Sequence, residues 1–253
     1  MPVMSTEKQV ILVTGANQGI GLEIVRKLAK EHPSYHILMG CRSLAKAREA
    51  ISTISSAATI TPIEVDISSN VSIATCIAEI ERDHGRLDVL INNAGIGRAA
   101  VENLASSREK MAKLFDVNVF GTMELTDAAI PLLQTAQEKG SVPRIVFITS
   151  ELGSLQNTLD PDWKYYPLHV TISYKSSKAA MNMLGACYSV RFKAAGWKVN
   201  CCCPGFRKTS FNNYMAAAAD DVAEGAVNAV RLATLGKEGE TGTFSNIDGI
   251  QPW

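Results

Sequence analysis

Short runs of β-branched and other apolar residues recur along the chain at Gln9–Thr14, His36–Cys41, Ile60–Val65, Asp88–Asn92, Arg144–Thr149 and Lys198–Cys203. Between them lie longer stretches with helical periodicity, at Gly19–Lys30, Leu44–Ser55, Val71–Asp83, Lys110–Leu133 and Tyr174–Ala195. The first pattern predicts strands buried on both faces, and the second predicts amphipathic helices. Their alternation predicts βαβ units joined by right-handed crossovers. The expected fold class is therefore α/β: one doubly wound domain, a mostly parallel seven-stranded sheet with helices on both faces. No linker-like composition divides residues 1–253, so a single domain is expected over the whole chain. Ser154–Thr171 breaks the rhythm and reads as a long loop, a kind of segment that is often functional.

Composition narrows the partners. Twenty-five basic residues balance 25 acidic ones, with no basic stripe, which argues against nucleic acid. The polar start, Met1 to Gln9, lacks the apolar core of a signal peptide, and no run is long enough to span a membrane. A soluble, cytoplasmic protein is expected. The six cysteines, Cys41, Cys76, Cys187, Cys201, Cys202 and Cys203, form neither a disulfide framework nor a zinc spacing, so no metal is expected. They read as small buried residues on a strand. His32, His36, His84 and His169 form no ligand-like cluster and read as surface or loop residues.

The first strand runs into Thr14-Gly15-Ala16-Asn17-Gln18-Gly19-Ile20-Gly21, which opens the first helix. Glycines here permit a tight turn and bring backbone close to a pyrophosphate, which the helix N-terminus then favours. The end of the second strand distinguishes the two nicotinamide dinucleotides. A carboxylate there holds a ribose 2′-hydroxyl and repels a 2′-phosphate. This chain has Gly40-Cys41-Arg42-Ser43 and then Lys46, so cations replace the acid and NADP(H) is expected.

Four segments in order resemble the classical short-chain dehydrogenase/reductase family, with its Rossmann-like fold. They are the spaced glycines of Thr14–Gly21, Asn92-Asn93-Ala94-Gly95, Tyr174-Lys175-Ser176-Ser177-Lys178, and Pro204-Gly205 followed by Thr209. Together they span residues 14 to 209. Asp248-Gly249 and Pro252-Trp253 resemble the ends of fungal members. The resemblance implies hydride transfer between a nicotinamide and a carbonyl/alcohol pair, with Asn118, Ser150, Tyr174 and Lys178 as catalytic residues. Ser150, preferred over nearby Ser154 for its place at a strand end, would hydrogen-bond the substrate carbonyl. Asn118 would hold a water of the proton relay. The implied cofactor contacts are Gly15, Asn17, Gln18, Gly19, Ile20, Gly21, Asp66 and Ile67, then Asn93, Ala94, Gly95, Pro204, Gly205 and Thr209, with Tyr174 and Lys178 at the nicotinamide end.

The chemistry of the last pair can be read from the residues themselves. Tyr174 and Lys178 stand four apart on one helix face. A phenol with pKa about 10 is a poor acid at neutral pH, and a neighbouring ammonium is expected to lower it by roughly 1–3 units.

Ser150 lies 24 positions before Tyr174, farther than in many family members. The added segment resembles insertions of the carbonyl-reductase branch, some of whose members are monomeric, so a monomer or homodimer is expected rather than a tetramer. The expected substrate is a small carbonyl compound, with Glu151, Trp163, Tyr166, Phe206, Phe211 and Tyr214 as candidate contacts that point to an apolar or ring-bearing molecule. Two alternatives stay open: a specialised biosynthetic reductase or cyclase, and a non-catalytic NADP-binding sensor.

Overall fold

A computed structural model describes residues 8–166, 171–214 and 221–253. His169, the alanine run at 216–219 and parts of the N-terminus and of the expected loop lie outside the described residues. The strands are β1 (Val10–Thr14), β2 (His36–Cys41), β3 (Thr59–Glu64), β4 (Val89–Asn92), β5 (Arg144–Ile148), β6 (Lys198–Cys202), β7 (Phe244–Asn246) and β8 (Gly249–Ile250). They form one sheet in the order β3-β2-β1-β4-β5-β6-β7-β8. All neighbours pair in parallel except β7 and β8. The expected seven strands thus gain an eighth, a two-residue antiparallel return that the sequence pattern is too short to reveal.

The helices are α1 (Gly19–Glu31), α2 (Leu44–Ser52), α3 (Asn70–His84), α4 (Ser107–Phe115), α5 (Thr122–Glu138), α6 (Leu155–Leu159), α7 (Ile172–Phe192) and α8 (Glu224–Ala233). They cover both faces of the sheet. Strand residues alternate sides, so Leu12 joins α3, α5 and α7 in one core, while Ile11 and Val13 join α1, α2 and α8 in the other. The same alternation explains three consecutive cysteines: Cys201 and Cys203 face one core and Cys202 the other. Cys76 is buried on α3 rather than on a strand, and Cys187 is exposed on α7. His36 and His84 are also not simple surface groups; half-buried, they meet edge to face at 4.6 Å.

Two expected elements differ in detail. The helix predicted at Lys110–Leu133 begins three residues earlier, because Ser106 and Glu109 form a capping box. It then changes to π geometry over Asp116–Gly121 before continuing as α5. Gly121 is required at this junction: a Cβ there would fall 1.9 Å from the Ile67 carbonyl oxygen. The expected loop after residue 154 contains α6, capped by the Ser154 hydroxyl, which accepts from the Asn157 N–H. Ser154 also donates to the Trp253 carbonyl, a structural role that leaves Ser150 alone at the strand end.

The order reverses between β1 and β4, since β1 leads outward to β2 and β3 while β4 leads to β5 and β6. In a parallel α/β sheet this switch opens a crevice at the carboxyl ends of the strands.

Candidate active site

That crevice holds a cavity of about 780 Å³. One end is lined by Arg42, Asp66 and Ile67. The middle is lined by the glycine turn and by Asn93–Gly95, and the far end by Ser150, Tyr174 and Lys178.

The glycine turn is shaped by close backbone packing. Gly15 and Gly19 adopt φ of 63° and 55°, a region other residues enter at a cost. A Cβ on Gly21 would fall 2.5 Å from both the Gly15 oxygen and the Asn93 carboxamide nitrogen. Asn93 in turn donates from its side chain to the Thr14 carbonyl at 2.7 Å. The Thr14 hydroxyl accepts from the Asn93 and Ala94 N–H groups. This stitches the ends of β1 and β4 and leaves the N-terminus of α1 facing the cavity. The first turn of α1 carries no acidic side chain and Gln18 provides no side-chain cap, so its N–H groups are suited to an anion.

Arg42 is exposed at the end of the cavity that Asp66 and Ile67 line. Lys46 is exposed and is not among the residues that line it. Ser43 caps α2 by accepting from the Lys46 N–H, which places Lys46 in the first turn of that helix. Asp66 does line the cleft. Partial burial would raise its carboxyl, but the Ser68 hydroxyl and N–H, with Arg42 and Lys113 nearby, hold it below the ordinary range. Pro204, Gly205 and Thr209 form the opposite wall. Arg207 fixes that wall by donating to the Pro204 carbonyl at 3.0 Å and pairing with Glu224.

At the far end, Lys178 is 4% exposed. Its ammonium donates to the Ile148 carbonyl at 3.0 Å and contacts the Met181 sulfur. Burial pulls its pKa down to about 8. Tyr174 lies beside it, with the ammonium 5.9 Å from the ring centroid. The Ser150 side chain faces the phenol and favours its ionised form, yet burial dominates and the phenol is raised, not lowered. The expected lowering fails because Lys178 is itself desolvated and held by the Ile148 carbonyl.

Asn118 is fully buried in the π segment and does not line the cavity. Its carboxamide accepts from the Ile96 N–H, and donates to the Ile96 carbonyl and the Ser177 hydroxyl. Its side-chain donors therefore tie the segment after β4 to α7. A Cβ on Gly95 would lie 3.1 Å from the Asn118 oxygen and 3.8 Å from the Lys178 ammonium, so these three residues are packed as one unit.

Of the candidate substrate contacts, Glu151, Phe206 and Phe211 line the cavity, whereas Trp163, Tyr166 and Tyr214 do not. Tyr165, between two of those, does; it packs edge to face on Trp163 and Phe206. Phe211 meets the Tyr174 ring edge to face at 5.8 Å. The sequence singled out neither Tyr165 nor the lining residues Lys113 and Asn246. Tyr165 sits in an aperiodic loop, Asn246 on the three-residue strand β7 and Lys113 on the exposed side of α4, where no pattern marks a lining residue.

The fold and this arrangement define an oxidoreductase of the short-chain dehydrogenase class. The chain belongs to that family: the short chain dehydrogenase family model matches residues 9–220. It is similar to the short-chain dehydrogenase/reductase ATR10 of Stachybotrys chlorohalonatus, at 33% identity over 96% of this chain and 90% of that one. A short-chain dehydrogenase/reductase of a Phoma species, eupG, is 36% identical over 83% of this chain and 81% of its own length. Among solved structures, the NADPH-bound carbonyl reductase from chicken fatty liver superposes with a TM-score of 0.83 at 28% identity. It covers 98% of this chain and 95% of that one.

Proposed function

We propose that the protein is an NADPH-dependent reductase that converts a small, apolar or ring-bearing ketone or aldehyde to the alcohol. The observation that carries this reading is the convergence of Ser150, Tyr174 and Lys178 at one end of a cavity whose other end presents Arg42 and no carboxylate at the close of β2.

The residues fit a dinucleotide. Gly15, Asn17, Gln18, Gly19, Ile20 and Gly21 would hold the pyrophosphate, with Asp66 and Ile67 at the adenine. Arg42 would meet a 2′-phosphate; Lys46 would contribute only through long-range charge. Asn93, Ala94, Gly95, Pro204, Gly205 and Thr209 would flank the nicotinamide half. The resemblance to an NADPH-bound carbonyl reductase supports this choice of cofactor.

When bound, the reduced nicotinamide supplies a hydride to the carbonyl carbon. Ser150 and Tyr174 supply hydrogen bonds to the carbonyl oxygen, stabilising charge that grows there. Tyr174 Oη then gives its proton to that oxygen as general acid. A raised phenol pKa suits this direction, since the group stays protonated until negative charge develops beside it. Lys178 supports the proton transfer from 5.9 Å beneath the ring. Asn118 acts as a positioning residue. With its side chain committed to Ile96 and Ser177, any water it holds would bind through the main chain, where a π insertion interrupts the normal ladder.

A narrower version is that the carbonyl belongs to a specialised biosynthetic intermediate. It is favoured by similarity to the salutaridine reductase of Papaver somniferum, 25% identical over 96% of both chains. A purely sensing role is disfavoured by the intact Ser150–Tyr174–Lys178 set. No helix among the described residues is long and apolar enough to cross a membrane, in keeping with a proposed cytoplasmic location. The segment inserted before α7 supports a monomer or homodimer.

The test is to follow carbonyl-dependent oxidation of NADPH and of NADH over a panel of ketones and aldehydes. Turnover with NADPH in clear preference supports the reading; turnover with NADH alone, or with neither, contradicts it.

A further inference from the structure

Glu151 follows directly after Ser150, and the residue is 6% exposed while still lining the cavity. A carboxylate rarely accepts such burial without full hydrogen bonding. One oxygen accepts from the Asn246 carboxamide at 2.8 Å. The Cys203 thiol, which accepts the Glu151 N–H at 3.3 Å, also faces the carboxyl group. The other oxygen is 3.8 Å from the Lys164 ammonium, beyond hydrogen-bond reach, and that lysine is 64% exposed. An ionised carboxylate offers about four acceptor sites, so Glu151 retains acceptor capacity where the cavity meets Tyr165 and Phe206.

We propose that Glu151 is a specificity-determining residue that accepts a hydrogen bond from a hydroxyl on the substrate, so that the preferred substrate is a hydroxylated ring ketone. This rests on the carbonyl-reductase reading of the same site. The carboxylate selects a donor, and the aromatic rings of Tyr165, Phe206 and Phe211 select a flat apolar frame. Lys164 at the rim disfavours a cationic group in that place, which leaves a neutral hydroxyl as the fitting donor. With Ser150 and Glu151 adjacent on the chain, the two anchors fix the ring carbonyl and the hydroxyl relative to each other. Asn246, on β7, acts as the positioning residue that holds the carboxylate toward the cavity.

The experiment is calorimetric binding to the full chain saturated with oxidised cofactor, using ring-hydroxylated tetralones, their methyl ethers and unsubstituted tetralone. At least one hydroxylated isomer is expected to bind roughly tenfold to hundredfold more tightly than both its ether and the parent ketone, the range of a hydrogen bond to a charged group. Glu151→Gln, which keeps an acceptor for Asn246 but turns a donor toward the cavity, is expected to erase that ratio. If every hydroxylated isomer binds within about twofold of its ether and of the parent ketone in the wild-type protein, the proposal is overturned, as it is if Glu151→Gln folds and preserves the ratio. The wild-type comparison stands even if the variant does not fold. Binding is read without turnover, so failure of the reductase reading would appear separately, as hydroxyl-selective binding with no carbonyl-dependent oxidation of NADPH.

Discussion

The Lys178 ammonium is held by the Ile148 main-chain oxygen at 3.0 Å, so β5 fixes the charged group of the helix that carries Tyr174. This contact buries the lysine beside the half-buried phenol, and the first prediction comes from the burial it imposes.

Lys178 has a folded pKa of about 8, below the ordinary lysine value near 10.4. The unfolded chain therefore binds more protons between those two values, and stability rises as pH increases across that window. Wild-type protein should gain more stability between pH of about 8 and about 10 than Lys178→Met does, as measured by urea midpoints. Equal gains would mean that the lysine is not desolvated. The same titration predicts that carbonyl reduction by the wild type declines above pH of about 8.

Arg42 lines the cleft near Asp66, whereas Lys46 is exposed and does not line it. Arg42→Asp should weaken NADPH binding by roughly tenfold to hundredfold, with much less effect on NADH. Lys46→Ala should shift either affinity by no more than about twofold, as expected for an exposed charge. Fluorescence titration of the two cofactors distinguishes these outcomes, and a large effect of Lys46→Ala alone would reverse the assignment.

Gly121 closes the π segment against Ile67, which lines the cleft. Gly121→Ala would force its methyl group into the Ile67 carbonyl and should cost about 3 kcal/mol of stability. Cofactor affinity should fall with it, because the displaced residue is a wall of the site. Unchanged melting and unchanged binding would show that this junction relaxes freely.

Arg86 and Asp88 form a buried ion pair at 2.5 Å, and Asp88 also accepts from the Val10 N–H at 2.9 Å. The pair lies at the amino end of the sheet, opposite the site. Asp88→Ala removes both the carboxylate that pairs with the buried Arg86 and the acceptor of the Val10 N–H, and should destabilise the fold by about 3–5 kcal/mol. At a temperature where the variant is still folded, kcat and KM should match the wild type; a selective loss of kcat would link this end of the sheet to the chemistry.

Much of this architecture is legible in the chain because its signals are local. The glycines of Thr14–Gly21 stand between a strand pattern and a helix pattern, and Tyr174 and Lys178 share a helix face by spacing alone. The misreadings are tertiary in origin. Lys46 follows Arg42 closely in sequence, but only Arg42 is among the residues that line the cavity. A four-residue spacing predicts that Lys178 lowers the Tyr174 pKa, whereas burial of both groups reverses the direction. The side-chain partners of Asn118, Ile96 and Ser177, are likewise invisible in the sequence, because only folding brings them near. Tyr165 rather than Trp163 or Tyr166 lines the cavity, which the sequence does not reveal because the inserted segment has no period from which to read a facing side.

The central claim is that Tyr174 delivers the proton in an NADPH-dependent carbonyl reduction. The most direct measurement compares wild type and Tyr174→Phe for cofactor affinity and for single-turnover oxidation of NADPH by an accepted ketone. The account predicts a loss of roughly a hundredfold to ten-thousandfold in rate, the usual contribution of a general acid, with NADPH affinity nearly unchanged. A variant that turns over at the wild-type rate would contradict it.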